Sequence, residues 1–383
     1  MKGLQEILAT LGALREPAAL ATLVRVKGSS YRKAGARMVF KSDGDQTGSI
    51  SAGCLETDVK ARVAAVLGSG APQLATFDLG SDLDLIWGTG MGCQGKSEVL
   101  LEPVLPGPPA AWLSLCAGML EVRRPGVLAT VFGSRGAAEH LVGDRFVLDT
   151  RGPGLPPPPG AFAEALAAAQ RQTLARGVPG NAVLPSGAGE LDLLLEPILP
   201  PYALWIYGAG EHARPLARFA RELGWFLGIV DHRPGLATAE RFPQADRIVV
   251  GHPPACLEGL CLDARTAALV VSHVYEKDRQ VLEFLLQQPL GYLGLQGNRL
   301  RSTRLLKEIE ESGLVLTDDQ RRIMHFPAGL DIGAESPEVI ALSMLAEAQA
   351  ALAGHTGGSL RDRLGAIHQA APVPTSEKSA PSA

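Results

Sequence analysis

The stretch Ala203-Leu-Trp-Ile-Tyr-Gly208-Ala-Gly210-Glu-His-Ala213-Arg-Pro constrains the fold of this chain more than any other. An apolar run stops at Gly208, a second glycine follows two positions on, and a helical pattern starts at once. A second apolar run, Gly228-Ile-Val-Asp231, ends in an acid about twenty residues later, which is the spacing of a dinucleotide-binding strand–turn–helix–strand unit. Taken alone, Gly208, Gly210 and Ala213 predict a phosphate-bearing ligand, NAD(P) first, with Asp231 on its ribose hydroxyls or serving as an ordinary cap.

Strands are expected again at Arg247–Val250, Ala267–Val271 and 291–295, with helices over 276–287 and 301–312. That alternation predicts a Rossmann-like, doubly wound parallel sheet, whose ligands sit beyond the carboxyl ends of the strands. Gly208–His212, Asp231 and Ser272–Lys277 are thereby placed around one crevice. His273 is a candidate acid, base or ligand, against the alternative of an uninvolved strand-end residue, while His212 reads as a surface residue. Glu211 is discordant, because a carboxylate at the first turn repels a phosphate arriving there. Further on, Gly329-Leu-Asp331-Ile-Gly333-Ala-Glu335 precedes a helix with Ser336 as cap and Pro337 first. Asp331 sits either in an elaborate helix entry or in a loop held against a ligand or another subunit. The helix is expected to turn Leu342, Leu345 and Ala346 to one apolar face.

The first 200 residues read as an α+β domain of two related halves, 1–106 and 107–200. Leu20-Ala-Thr22 recurs as Leu128-Ala-Thr130, and Leu100-Leu-Glu-Pro-Val-Leu-Pro106 as Leu194-Leu-Glu-Pro-Ile-Leu-Pro200. Each half has a strand–strand–helix–strand plan, and Gly152 to Gly160 reads as a stiff proline-rich connector or a mobile loop. The first half alone carries glycine–cysteine motifs. Gly53-Cys54-Leu-Glu56 puts a thiol where a glycine turn meets a helix, whose free N–H groups favour a thiolate. Gly88-Thr-Gly-Met-Gly92-Cys93 is a glycine loop before a strand, able to cradle an oxyanion. Each cysteine has a bland alternative as a small buried hydrophobe, which the glycine context disfavours at Cys54 and leaves open at Cys93. Cys116 lies on an apolar helical face and reads as core.

The 383 residues suit two domains followed by a tail: 1–200, 201–353, and a Gly-, Ser- and Pro-rich segment 354–383 expected to be disordered. A net charge of −4 offers no argument for nucleic acid or an acidic membrane. No signal peptide or membrane span is expected, and five cysteines without a CxxC pair suit a cytoplasmic protein with reduced thiols.

Together these motifs resemble the xanthine dehydrogenase accessory protein family, XdhC/CoxI. The resemblance rests on Arg25-Val-Lys-Gly-Ser-Ser30, Ser51-Ala-Gly-Cys54-Leu-Glu56, Gly92-Cys93, the Gly208 stretch, Gly291-Tyr-Leu-Gly294 to Gly297-Asn-Arg299, and Gly329-Leu-Asp-Ile-Gly-Ala-Glu335. It implies a non-catalytic chaperone that holds the molybdenum cofactor as cargo while a cysteine desulfurase supplies sulfur, then inserts it into an apo-molybdoenzyme. Cys54 is then the candidate metal ligand. Gly53, Glu56, Cys93, Gly208, Gly210, Ala213, Asp231, His273, Arg299 and Asp331 are candidate cofactor contacts, and a homodimer is expected. An NAD(P)-dependent oxidoreductase and a ligand-sensing regulator are the alternatives. The sequence departs from the family at Ala52, at Glu211 in place of histidine, and at Ser272-His273-Val274-Tyr275 in place of Thr-His-Asp-His.

Overall fold

Two stretches of antiparallel pairing and one run of buried parallel strands build the chain, seen in a computed structural model that describes residues 2–28, 31–51, 53, 55–78, 95–136, 141–187 and 189–362. They form two units, Met1–Pro200 and Pro201–Ala383.

In the first unit, helix α1 (Lys2–Gly12) leads to strands β1 (Ala18–Gly28), β2 (Arg37–Lys41) and β3 (Gln46–Gly48). Helix α2 (Glu56–Ser69) then precedes β4 (Gln73–Asp78) and β5 (Gly95–Val104), and the sheet runs β3-β2-β1-β5-β4. The same order of elements, without a counterpart of β3, follows again as α3 (Ala111–Glu121), β6 (Gly126–Arg135), β7 (Arg145–Asp149), α4 (Ala161–Arg176), β8 (Gly180–Ser186) and β9 (Gly189–Ile198), with the sheet running β7-β6-β9-β8. Register repeats as well: Thr22 faces Arg37 and Leu100, and Thr130 faces Arg145 and Leu194. Val24, Leu100, Phe132 and Leu194 join the two sheets in one apolar cluster. The outer faces are covered by α2, through Val59 and Val66, and by α4, through Leu166. Helices α1 and α3 fill a shared core with Ile7, Leu11, Trp112 and the buried Cys116.

Two buried ion pairs cross between the halves. Arg37 on β2 donates to Glu196 on β9 at 2.8 Å, and Arg145 on β7 donates to Glu102 on β5 at 2.9 Å. Both glutamates come from the repeated Leu-Leu-Glu-Pro motif, so each copy of the motif neutralises the arginine of the other half.

In the second unit, β10 (Ala203–Tyr207) is followed by α5 (Ala213–Glu222), β11 (Phe226–Asp231), β12 (Arg247–Val250), β13 (Thr266–Val270) and α6 (Tyr275–Leu285). Then come β14 (Tyr292–Leu295), α7 (Arg299–Glu311), α8 (Asp318–Ile323), β15 (Met324–His325) and α9 (Pro337–Leu352). The strands are parallel in the order β12-β11-β10-β13-β14-β15, the doubly wound order with its crevice between the first and fourth strands. All five β10 residues are buried, as a strand covered on both faces requires. One face packs against α5 and α9, the other against α6 and α7.

Several expectations need correction. Strand β8 is absent from the sequence reading, because an edge strand carrying Asn181 and Pro185, with no fully buried residue, has little apolar pattern to read. Leu342 is 53% exposed and does not belong to the apolar face of α9, which is Ala341, Met344, Leu345 and Ala348. Leu223, at helical spacing with Leu216, Phe219 and Ala220 and so expected on the apolar face of α5, is instead its exposed C-cap. The proline-rich connector is tied down where Leu155 and Val147 exchange backbone hydrogen bonds. Leu360–Asp362 forms a short 3-10 turn, and the rest of the expected tail, 363–383, lies outside the described residues.

Candidate functional site

The end of β10 is shaped by close backbone approach. Gly208 has φ +117°, and a Cβ there would stand 2.5 Å from Ser272 Cα, so only glycine fits against the turn after β13. Gly210 has open space around it, and Ala213 is buried at the start of α5 where helix and sheet meet.

Asp231, at the end of β11, has both carboxylate oxygens occupied. One accepts from the Ala209 N–H at 2.6 Å and from Arg233 Nη2 at 2.8 Å; the other accepts from the Arg233 N–H and Nε, both at 2.9 Å. Burial pulls this carboxyl upward, but the Arg233 and Ala209 hydrogen bonds outweigh it and hold the group below its ordinary value. The ribose reading of Asp231 therefore meets an acid already engaged in holding the glycine loop, and one loop N–H that would meet a pyrophosphate is consumed in the same bond. The space beside Gly208, Asp231, Ser272 and Lys277 is about 20 Å³, far below the several hundred Å³ of a small-molecule pocket. These residues do not fit NAD(P) as they stand.

Glu211 departs from its expected role. It is exposed and paired with Arg241 at 2.7 Å and Arg214 at 3.3 Å, and those hydrogen bonds hold its carboxyl low. Its charge is thus offset by two guanidinium groups rather than left to repel an anion.

The turn after β13 is fixed by Asp278, which is 1% exposed and accepts from the Ser272 hydroxyl and from Arg301 Nη2. The Ser272 hydroxyl also accepts from the Val274 N–H, and between them His273 takes φ +61°. Left-handed backbone at a residue bearing a Cβ is a strained choice that the surrounding bonds enforce. His212 is half-buried, its ring edge-on to His273 with centroids 5.7 Å apart, and its Nδ1 lies 3.1 Å from Gln296 Nε2. Desolvation, then the neighbouring His212, push His273 below the ordinary histidine value despite the pull of Asp278. His273 is therefore a neutral imidazole at pH 7.

His273 and Gln296 open onto a cleft of about 420 Å³ that also takes in Gly297, Leu330, Asp331 and Met344. The Asp331 loop is anchored from α9: Glu347 accepts from the Gly329 N–H and the Tyr292 hydroxyl, both at 2.8 Å, and the Ser343 hydroxyl donates to the Leu330 carbonyl at 2.6 Å. A Cβ on Gly329, whose φ is +116°, would meet that serine oxygen at 2.4 Å. Ser336 caps α9 by accepting from the Val339 N–H, with Pro337 in first position, as expected. Arg299 is exposed on the first turn of α7, whose cap is Asn298. Sequence reading missed Gln296, Arg233, Ser343 and Glu347, none of which stands in a spacing that signals a partner.

In the first unit, Glu56 is the hub of the turn before α2. It accepts from the Ser51 N–H at 2.9 Å, from the Gly53 N–H at 3.1 Å, and from the hydroxyls of Ser49 and Ser51. The Leu55 N–H donates to the Ser51 hydroxyl at 3.0 Å. Burial opposes the charge on Glu56, but the Ser51 bonds prevail and keep its carboxyl low. Cys54 and Cys93 lie outside the described residues. On either side of Cys54 in sequence, the Gly53 N–H donates to Glu56 and the Leu55 N–H to the Ser51 hydroxyl. Cys116 is confirmed as core, its thiol pushed up to about 12 by burial. Among the described residues no three His, Cys, Asp or Glu side chains form a metal-binding group.

A family model described as the XdhC Rossmann domain matches residues 204–348, and one described as the XdhC and CoxI family matches 12–78. A Bacillus subtilis (strain 168) protein, named as one of the probable subunits of xanthine dehydrogenase, is 33% identical over 335 residues, covering 87% of this chain and 92% of that one. The chain belongs to the XdhC and CoxI family. An Escherichia coli (strain K12) protein named molybdenum cofactor insertion chaperone PaoD is 24% identical over 331 residues, 86% of this chain and 82% of its own. A Bacillus halodurans crystal structure described as a xanthine dehydrogenase superposes with a TM-score of 0.72 at 29% identity, over 93% of this chain and 98% of that one. The two family matches take in Gly53, Cys54 and Glu56 on the first unit, and the Gly208 loop, His273, Arg299 and Asp331 on the second. Cys93 falls outside both.

Proposed function

We propose that this family member is an accessory chaperone for a xanthine dehydrogenase- or carbon monoxide dehydrogenase-type molybdoenzyme, holding the molybdenum cofactor as cargo through sulfuration and insertion. The observation that carries this reading in the second unit is the transfer of open, polar space away from the dinucleotide position. Asp231 and Ala209 close on each other beside a space of about 20 Å³, while the 420 Å³ cleft lies under His273, Gln296 and Asp331. The E. coli relative named molybdenum cofactor insertion chaperone PaoD supports the same cargo.

In the first unit, Cys54 is the proposed metal contact. Coordination itself would ionise the thiol, since a metal-bound thiol is deprotonated. Glu56 acts by shaping the turn rather than by touching the cargo. A cysteine desulfurase, an apo-molybdoenzyme and a second copy of this chain are the proposed partners, in the cytoplasm.

The test is to purify the protein from cells that make the cofactor, oxidise it, and measure pterin fluorescence. Pterin released in near-stoichiometric amount is expected, with strong loss in Cys54→Ala. Protein free of pterin that instead turns over NAD(P)H would replace this reading with the oxidoreductase one.

A further inference from the structure

Asp331 is held in place more firmly than a helix entry needs. The two residues before it are pinned to α9 through Glu347 and through both the hydroxyl and the backbone of Ser343. Yet Asp331, which lines the cleft, makes no hydrogen bond or ion pair among the described residues. Asp331 is exposed, so water satisfies its carboxylate, and what bears on a ligand is its fixed position at the cleft wall. The same cleft offers apolar surface from Leu330, Ile340 and Met344, and neutral polar groups from Gln296 and His273. Its volume of about 420 Å³ falls within the range of small-molecule sites. Two coplanar acceptor oxygens beside apolar walls complement a flat heterocycle that presents two adjacent N–H donors on one edge.

Resting on the cofactor reading above, the geometry points to Asp331 as the group that reads the 2-amino and N3–H edge of the aminopyrimidinone ring of a pterin. Guanine presents the same pair of donors, so the shared chemistry is the aminopyrimidinone edge, and the pterin is the source we assign. Gln296 and neutral His273 are left to serve the acceptor atoms of the ring.

The experiment uses the full chain and three probes: pterin, lumazine, which carries a 2-oxo group where pterin carries 2-amino, and GMP. Binding is followed by probe fluorescence, or by competition for GMP. Wild type is expected to prefer pterin over lumazine by about tenfold or more, the worth of a charge-assisted hydrogen bond. Asp331→Asn, which offers one acceptor and one donor, is expected to weaken pterin by about tenfold and to bring lumazine level or ahead. Asp331 is exposed, so the variant should melt with wild type, and the wild-type pterin–lumazine comparison needs no variant at all. Equal wild-type affinity for pterin and lumazine, or Asp331→Asn binding pterin as wild type does, would overturn the assignment. GMP binding tighter than pterin would also overturn it, moving the site to a nucleotide. If any of these occurs while purified wild type still releases pterin on oxidation, the subsite falls and the cofactor reading stands. Protein that neither releases nor binds pterin removes both.

Discussion

Gly208 and Gly210 look equivalent in the sequence, yet their surroundings give them opposite roles. An alanine at 208 would drive its Cβ into the Ser272 backbone at 2.5 Å and impose a side chain on φ +117°. We expect Gly208→Ala to cost about 2–4 kcal/mol in chemical denaturation, the combined range of overpacking and backbone strain. Gly210→Ala has empty space around it and should stay within about 1 kcal/mol of wild type. Its effect, if a ligand approaches that backbone, belongs to binding. Asp231→Ala should cost about 1–3 kcal/mol, because it orphans the Ala209 N–H and frees Arg233; an unchanged denaturation midpoint would show that the acid does not hold the loop. The acid at the end of β11 was legible from spacing, as was the need for glycine at 208. That Arg233 folds back onto Asp231, and that Gln296 stands against His212, was not. Both depend on side-chain directions that no periodicity encodes.

At the scale of elements, the repeated Leu-Leu-Glu-Pro strands explain how the two halves of the first unit are joined. Arg37 and Glu196 are 159 positions apart and both buried, and Arg145 with Glu102 repeats the arrangement. Removing one partner leaves a buried charge, so Glu196→Ala should destabilise by about 3–5 kcal/mol. Arg37→Met combined with Glu196→Leu should recover most of that loss, since replacing a whole buried pair with apolar groups is often near neutral. Denaturation midpoints of Arg37→Met, Glu196→Leu and the double variant decide this; a double variant as unstable as the sum of the singles would refute it. The duplicated words in the sequence were visible, but nothing in them said that each glutamate serves the opposite half. The edge strand β8 was invisible for the complementary reason: exposed residues leave no pattern.

Across the whole molecule, the shifted groups set how stability responds to acid. Glu56 in the first unit, and Asp231 and Glu347 in the second, are all held below their ordinary values. In each case the unfolded chain takes up the proton first, so the stability these groups provide is complete at neutral pH. It is lost as the pH falls through the unfolded carboxyl value, about 4, towards the lower folded one. His273 is also held low, so the folded state resists its protonation and an earlier, smaller loss begins below about pH 6.5. Denaturant midpoints from pH 8 to pH 3 should show both steps in wild type, and His273→Gln should lack the first.

Local pattern settles what depends on neighbours along the chain. The alternation of strands and helices, the glycine turn after β10, the Ser336 cap and the core position of Cys116 were all determined by the sequence, because each follows from periodicity, backbone freedom or capping within a few residues. The family resemblance was legible for the same reason, since its motifs are short and contiguous. Tertiary structure decided which of the marked residues remain available to a ligand. Asp231 and Glu56 proved to be committed to internal N–H groups, Glu211 to two arginines, and Asp331 to no partner among the described residues. A carboxylate's availability is set by the donors that folding brings to it from distant segments, and those donors carry no trace in the residues on either side of it.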